Sequence, residues 1–525
     1  MNTDVQTNDI QTSDSSAFES GEAAENKSKY DFLRFDRLFA VIAFALGYVY
    51  AEYGFLISSG FAPASFWLGF TLMLFAYASV TKTKISASGY STLALAAVFS
   101  IGFVFCSSPL PALCCTLAAF ACIMYSMLTV NGKNSDFLGG RITFDMLKSV
   151  FSIPFAALGA VWYALFERRK TGKKSALAGK IILGLLLAII PTAMVLILLR
   201  SADAAFSSMT DSLFDIDVGD AFDFVGSFIL GIPVAMYVFA SVWGSKHRPK
   251  DELYDDEHCD RITNRTRIIP SVTVYTAVIP LIIVYVLFFV SQSAYFLSAL
   301  SNLLPENYTY AEYARSGFFE LCGVAVINFI IICAVTLFTK KETEKEPALA
   351  RILKGIICIF TEVLIAIDIA KMSMYIREYG LTQKRVYTTL FMILLAVIFL
   401  AVLAKQLLGK IKITAFCVVS VLVFCGIMVF GRTDAFIAKY NVNAYISGAH
   451  EGIDIAYLME LDETADEYIV KLLDYDGIDR DMLLKNLNLR KRDYERNGTA
   501  YSTVYTAKSV KLIEEAERKW GDPYQ

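Results

Sequence analysis

The feature that most constrains this chain is a series of apolar blocks, each about twenty residues long. An α-helix rises about 1.5 Å per residue, so a block of this length matches a hydrocarbon layer about 30 Å thick. Hydrophobic residues make up 56% of the 525 residues, and they are gathered in these blocks instead of the short periodic runs of a soluble domain. The pattern predicts an all-α fold, a polytopic transmembrane helical bundle.

The blocks predict about eleven spans, at residues 38–57, 63–80, 89–107, 109–129, 179–199, 224–243, 268–290, 317–338, 352–374, 386–404 and 412–430. Residues 137–166 are ambiguous, because their apolar run 150–166 contains Pro154 and has basic clusters on both sides. A full crossing would place one cluster outside, against the positive-inside rule. We therefore predict an interfacial or re-entrant segment there, with a full crossing as the alternative.

Composition divides the chain into three regions. Residues 1–30 are an acidic tail with few apolar side chains, which predicts disorder. Residues 31–431 contain the bundle, and residues 432–525 have the composition of a small soluble α-helical domain. Loops on one side of the predicted spans are basic, and those on the other are short, neutral or acidic. This bias predicts a cytoplasmic N-terminus and an extracytoplasmic C-terminal domain. If residues 150–166 cross the membrane, the C-terminal domain moves inside.

Apolar spacing and turn residues predict the internal structure of the C-terminal domain. Helices are expected at residues 463–473, 479–489 and 503–520. Asp462 is expected to cap the first of them. The dipeptides Asp476–Gly477 and Asn497–Gly498 are expected to form turns between them.

Three ordered motifs carry a family resemblance. They are YAEYARSGFFELC at 310–322, MYIREYGLTQKRVY at 374–387 and RTDAFIAKYN at 432–441, and a shorter stretch, Ser201–Phe206, accompanies them. Together they resemble a domain-of-unknown-function family of bacterial polytopic membrane proteins, over roughly residues 35–475. The resemblance implies a bacterial plasma membrane and this topology. It implies no established reaction and no catalytic residue.

Ionisable residues inside a span are the usual candidates for function, because burying them in hydrocarbon is unfavourable. The ninth span contains Glu362, Asp368 and Lys371. Asp368 and Lys371 lie one helical turn apart and are expected to pair. Glu362 has no such local partner. It is either a coupling-proton site or a hydrogen-bonding group between helices.

Four further positions are candidates for a functional or a structural role. Arg315 and Glu320 flank the start of the eighth span, where they either line a ligand pathway or fix the preceding loop. Asp434 and Asn441 follow the last span, where they are expected to cap the turn into the C-terminal domain.

No enzyme motif, cofactor site or metal site is evident, and the acidic loop 200–223 lacks the pattern of a calcium loop. The net charge of −3 gives no basic field for nucleic acid. The leading hypothesis is a non-enzymatic protein that anchors or senses through its C-terminal domain, with the lipid bilayer and an envelope protein as partners. The alternative is a secondary transporter that uses the charges of span nine, and an intramembrane enzyme is a third possibility.

Overall fold

A computed structural model describes residues 32–33, 35–53, 59–166, 218–247, 256–300, 318–340, 348–408 and 411–521, together with residues 192, 195 and 199. The N-terminal tail 1–30, the acidic loop up to residue 217 and Arg315 lie outside the described residues. The predicted span 179–199 also lies outside them, apart from the three isolated positions.

The described ranges are mainly helical and contain no strand, which confirms the predicted all-α class. The first group of helices is α1 (Asp36–Tyr53), α2 (Phe61–Val80), α3 (Ala87–Gly102), α4 (Pro109–Val130), α5 (Ile142–Leu147), α6 (Ile153–Ala157), α7 (Ala160–Phe166) and α8 (Val218–His247), with a π-helical turn at Lys148–Ser152 between α5 and α6. The second group is α9 (Asp256–Thr266), α10 (Ser271–Leu300), α11 (Phe318–Phe338), α12 (Ala348–Tyr379), α13 (Gln383–Leu408) and α14 (Ile413–Phe430). The last group is α15 (Thr433–Ile446), α16 (Ile455–Glu460), α17 (Asp466–Ile469), a 3-10 turn at Val470–Asp474, α18 (Arg480–Tyr501) and α19 (Thr506–Trp520).

Several helices have the length and composition to cross a membrane. Within the described ranges six meet both criteria: Phe61–Val80, Pro109–Val130, Phe224–His247, Ser271–Ser291, Gln383–Leu408 and Ile413–Phe430. Residues Ile142–Ala157 and Ala160–Phe166, bent by 42° at their break, would make a seventh if the pair counts as one span. Helix α12 is longer than any of these, but it carries Lys354, Glu362, Asp368 and Lys371. Several apolar helices of this kind indicate a membrane-embedded protein.

The helices up to α8 pack into a first bundle, whose core includes Phe70, Phe103 and Phe239. Helices α1 and α8 cross at a pair of glycines. A Cβ added to Gly231 would lie 2.8 Å from the carbonyl carbon and oxygen of Gly47. The two backbones therefore touch where they cross, as is common between helices in membranes.

Helices α10 to α13 form a second bundle, with Ile357 and Phe399 fully buried in its core. Helix α14 lies against both bundles. Its Cys417 packs on the second core, whereas Cys425 and Val429 belong to the first. This helix leads directly into the C-terminal helices, so the chain enters them from the seam between the bundles.

Both ends of the bent segment 142–166 contact the same end of the first bundle. At its start, Asp145 accepts hydrogen bonds from the amide and hydroxyl of Ser135 at 3.1 Å. Near the C-terminal end of the segment, the carbonyl of Ala164 accepts a hydrogen bond from Nε of Arg37 at 3.3 Å. Arg37 lies in the first turn of α1, and Ser135 follows the end of α4.

Residues 433–520, termed here the C-terminal layer, lie on the opposite end of the bundles. Its core contains Ile437, Leu458 and Leu472, and Leu381 from the α12–α13 connection belongs to the same core. The amide of Val504 donates to the carbonyl of Val104 at 3.1 Å. The layer therefore packs directly on loops of both bundles.

The helices of the C-terminal layer partly follow the sequence prediction. The predicted helix 503–520 corresponds to α19, whereas the predicted helix 479–489 is only the first half of the longer α18. The predicted helix 463–473 is divided into α17 and the 3-10 turn that follows it. Gly477 lies in the first predicted turn, with φ of 95°, a value that favours glycine. The second predicted turn does not separate two helices, because Gly498, with φ of 66° and ψ of −176°, forms a kink inside α18.

Candidate functional site at the junction of the two bundles

The candidate positions from the sequence fall into two places. Asp434 and Asn441 lie on α15, where the C-terminal layer meets the bundles, and Glu362, Asp368 and Lys371 lie on α12 inside the second bundle. Glu320 is in the first turn of α11, and its side chain is not described.

Asp434 is fully buried and joins three parts of the molecule. Its Oδ2 accepts hydrogen bonds from the hydroxyl of Ser108 at 2.9 Å, from Nε2 of Gln383 at 2.7 Å and from the amide of Asp462 at 2.9 Å. Ser108 precedes α4 in the first bundle, Gln383 begins α13 in the second, and Asp462 is in the C-terminal layer. One carboxylate oxygen therefore holds both bundles and the layer together.

The chain reaches this position through a sharp reversal after α14. Arg432 has φ of 47°, in the left-handed region that non-glycine residues rarely adopt. Its guanidinium lies 3.5 Å from Glu467 and 5.0 Å from the ring of Tyr505. The reversal places Asp434 in the first turn of α15, where the positive end of the helix favours a carboxylate.

Asn441 connects the same helix to the α12–α13 loop. Its Nδ2 donates to the carbonyl of Leu381, and its Oδ1 accepts from the amide of Leu381, both at 2.8 Å. Gly380 has φ of 73°, and a Cβ at this position would lie 2.6 Å from Oδ1 of Asn441. The residues from the motif 374–387 are thus packed on those from the motif 432–441.

Asp462 adjoins Asp434, and the acids Glu463 and Asp466 follow it in the sequence; of these three, the sequence pattern singled out only Asp462, as a helix cap. Asp462 accepts a hydrogen bond from the amide of Thr464 at 2.9 Å. Burial, together with the neighbouring charge of Asp434, raises the pKa of Asp462 to about 7. Burial also raises the pKa of Asp434.

Glu463 and Asp466 tie the layer together internally and to the first bundle. Glu463 accepts hydrogen bonds from the hydroxyls of Ser107 at 2.7 Å and of Thr503. Asp466 forms an ion pair with Arg490 at 3.3 Å, and burial raises its pKa. In the sequence these acids resemble the exposed first turn of a helix, so no local signal indicates that they are buried.

Helix α12 carries a buried polar stripe on one face. Lys354, Thr361, Asp368 and Tyr375 recur every seven residues, and all four are buried. A seven-residue repeat keeps side chains on nearly the same side of a helix. At about 1.5 Å per residue, the stripe extends roughly 30 Å, close to the thickness of a hydrocarbon layer.

Neighbouring helices add polar groups to the middle of this stripe. Asn328 of α11 donates to the hydroxyl of Thr361 at 2.9 Å and accepts a hydrogen bond from the hydroxyl of Tyr285 on α10. Asp368 Oδ1 and Glu362 Oε1 are buried, and neither has a hydrogen-bond partner among the described residues. Lys371 is also buried, one turn from Asp368. Buried polar and ionisable groups inside a bundle of apolar helices are candidates for a functional role.

The described ranges contain no group of three or more His, Cys, Asp or Glu side chains that could hold a metal ion. The acidic loop 200–223 is outside those ranges up to residue 217, and the side chains of residues 218–223 are not described.

Fold and site together define an all-helical protein with several apolar helices of membrane-spanning length and a buried polar junction at one end. The chain belongs to the family DUF4153, described as a domain of unknown function, whose model matches residues 93–472. The match extends from α3 through the 3-10 turn at Val470–Asp474, so it includes both α12 and the Asp434 junction. It confirms the resemblance to a family of unknown function. No curated protein and no solved structure matches the chain.

Proposed function

We propose that this chain is a non-enzymatic, multi-pass protein of a bacterial plasma membrane, which anchors or senses for an envelope protein through its C-terminal layer. The observation that carries the proposal is the Asp434 junction. Because its three hydrogen-bond donors come from both bundles and from the layer, a change in the position of any one part alters the contacts of the other two.

The proposed topology has eleven spans, a cytoplasmic N-terminus and an extracytoplasmic layer. The start of α1 and the layer lie at opposite ends of the first bundle, which supports an odd number of crossings. Asp36, in the first turn of α1, accepts a hydrogen bond from Tyr77 near the end of α2, whereas Tyr53 at the other end of α1 packs on Tyr501 of the layer. The contacts of residues 142–166 at a single end of the bundle support a re-entrant segment.

Two exposed apolar side chains on α18 offer a surface for the envelope partner. Met482 and Leu489 are 47% and 46% exposed and lie seven residues apart, hence on one side of the helix. To test the anchoring role, a photo-crosslinking amino acid is placed at Met482 or Leu489 in living cells, and at Lys511 on α19 as the exposed control. We expect a discrete crosslinked product at the first two positions that is absent at Lys511.

Two outcomes would contradict this proposal. Identical patterns at all three positions, or a C-terminal reporter that is active only in the cytoplasm, would contradict an extracytoplasmic partner of the layer. Combining the Met482 probe with Asp434→Ala tests the junction, since the product should weaken when the layer is no longer fixed to the bundles.

The buried stripe on α12 favours a second candidate function, a proton-coupled secondary transporter. Asp368 would exchange the proton, because it is buried near mid-helix with one oxygen that has no hydrogen-bond partner in the described structure. The test is reconstitution of the full chain into liposomes containing a pH-sensitive dye. A transporter should dissipate an imposed pH gradient, and Asp368→Asn should abolish this effect. Equal rates for both chains and for empty liposomes would exclude this role.

A further inference from the structure

Helix α15 lies across the end of the bundles and does not continue away from them. Asp434 in its first turn contacts Ser108 and Gln383, and Asn441, seven residues later, contacts Leu381. All three partners belong to loops or helix starts at the same end of the bundles. A helix held at both of these points lies along the surface where the apolar helices α12 and α14 end.

The two faces of α15 differ in composition. Ile437, Ala438 and Val442 are fully buried in the core of the layer. The opposite face presents Phe436, Lys439, Tyr440, Asn443 and Ser447, which recur at the three- and four-residue spacing of one side of a helix. The apolar face of α15 is therefore covered by the layer, whereas its polar face, with Phe436 at one end, remains exposed.

The outer face of α15 forms one wall of an open groove of about 580 Å³. Arg377, in the last turn of α12, lies on the other side of the groove, and His450 contributes from the loop after α15. Phe436 is 55% exposed at the end of the groove nearest α14 along the chain.

The charges in this groove have one sign. It contains the permanent cations Arg377 and Lys439 together with His450, and none of the nine described residues that line it is an Asp or a Glu. The acid that lines the adjoining cleft is Asp454, which caps α16 by accepting a hydrogen bond from the amide of Tyr457 at 2.9 Å. Glu378 and Glu451 follow Arg377 and His450 in the sequence, but neither is among the residues that line the groove. The groove is therefore complementary to an anion.

We propose that this groove binds the headgroup of an anionic phospholipid, a property that goes beyond the anchoring role proposed above. The guanidinium of Arg377 matches the oxygens of a phosphodiester, and Lys439 supplies a second positive charge. Tyr440 and Asn443 supply hydrogen-bonding groups for the polar part of the headgroup. Phe436 lies beside the acyl chains, as aromatic side chains do at a membrane interface.

The experiment measures lipid binding to the purified full-length chain in a neutral detergent. The probes are phosphatidylglycerol, phosphatidylcholine with the same acyl chains, and soluble glycerol 3-phosphate, and bound lipid is counted by native mass spectrometry. Each basic residue near a membrane surface contributes about 1 kcal/mol, so the double variant Arg377→Gln/Lys439→Gln should bind phosphatidylglycerol roughly thirtyfold more weakly. Its affinity for phosphatidylcholine should not change.

Two controls separate this site from general charge and from misfolding. Lys485→Gln/Lys511→Gln removes two exposed cations from α18 and α19, away from the groove, and should leave binding intact. Lys439→Arg preserves the charge and should also preserve binding. Equal loss in both double variants, or no loss in the groove variant, would overturn the proposal. Binding of glycerol 3-phosphate as tight as that of the lipid would overturn it as well, in favour of a soluble anion.

Discussion

At the scale of single residues, the buried carboxylates of the junction have the sharpest consequences. A buried carboxylate is tolerated only where hydrogen bonds compensate for the loss of water. Asp434 meets this condition at Oδ2, through Ser108, Gln383 and the amide of Asp462, each from a different part of the molecule, whereas its buried Oδ1 has no hydrogen-bond partner among the described residues. Its removal therefore affects the docking of the layer and not only one helix.

We predict that Asp434→Ala destabilises the full chain by about 3 kcal/mol, because three donors lose their common acceptor in a buried setting. The measurement is thermal unfolding in detergent, together with the rate of proteolysis within the layer. Asp493→Ala, at an exposed position on α18, is the matched control and should change stability by less than about 0.5 kcal/mol. Equal effects of the two substitutions would refute the role of the junction.

A second prediction concerns pH. The pKa of Asp462 is about 7 in the folded chain, above its value of about 3.9 in an unfolded chain. Folding therefore favours the protonated form. Its contribution to stability is fully present below about pH 4 and is lost as the pH rises through about 7.

The raised pKa values of Asp434 and Asp466 act in the same direction, whereas the ammonium of Lys508 lowers the pKa of Glu467, which acts in the opposite one. We expect the melting temperature of the full chain to fall between about pH 5 and pH 8, and Asp462→Asn to flatten part of this decline. Melting curves at several pH values, with Asp476→Asn as the exposed control, test it. An unchanged slope in Asp462→Asn would count against the assignment.

At the scale of elements, the crossing of α1 and α8 depends on the absence of side chains. A Cβ on Gly231 would meet the backbone of Gly47, which cannot yield as a flexible side chain can. Gly226, one and a half turns earlier on α8, has nothing within 4 Å of its added Cβ. The same helix therefore contains a constrained and an unconstrained glycine.

We predict that Gly231→Ala destabilises the chain by about 2 kcal/mol, because α1 and α8 must move apart and lose contacts along their length. Gly226→Ala should be neutral or slightly stabilising, because alanine is the better helix former. The comparison is made by thermal unfolding of the two variants in the same detergent. If both variants melt alike, the close crossing is not a determinant of stability.

At the scale of the whole molecule, the loop between α2 and α3 and the C-terminal layer lie at opposite ends of the first bundle. Lys84, between α2 and α3, is exposed at the end of the bundle where α1 begins, and Glu451 is exposed on the C-terminal layer. The proposed topology places the first in the cytoplasm and the second outside.

We predict that Glu451→Cys reacts with a membrane-impermeant maleimide in intact cells, whereas Lys84→Cys reacts only after lysis. The parent chain, with its ten native cysteines, measures the background. Reaction of both positions in intact cells, or of neither, would mean that the two sites share one side of the membrane. In that case residues 142–166 cross it or another predicted span does not.

The apolar blocks were sufficient to locate the long helices of the bundles, but not α9 or α15. The thickness of a bilayer sets the length of a span, and the backbone of a span must form its hydrogen bonds internally. An apolar block of about twenty residues is therefore enough to predict a helix. Each predicted span other than 179–199 coincides with a helix, although the ends are shifted. The periodicity of α19 was also sufficient, because an amphipathic stripe is a local property, whereas α18 continues twelve residues beyond its predicted end.

Which loops meet depends on the packing of the bundles and could not be predicted from the sequence. Asp434 and Asn441 were recognisable as unusual, but their partners Ser108, Gln383 and Leu381 are 326, 51 and 60 residues away in the sequence. A local pattern records whether a side chain is polar and where it lies on its own helix. It does not record which distant backbone or hydroxyl will meet that side chain, because this depends on how the bundles pack. For the same reason the sequence identified the charges of α12, but not the buried row that they form with Thr361 and Asn328.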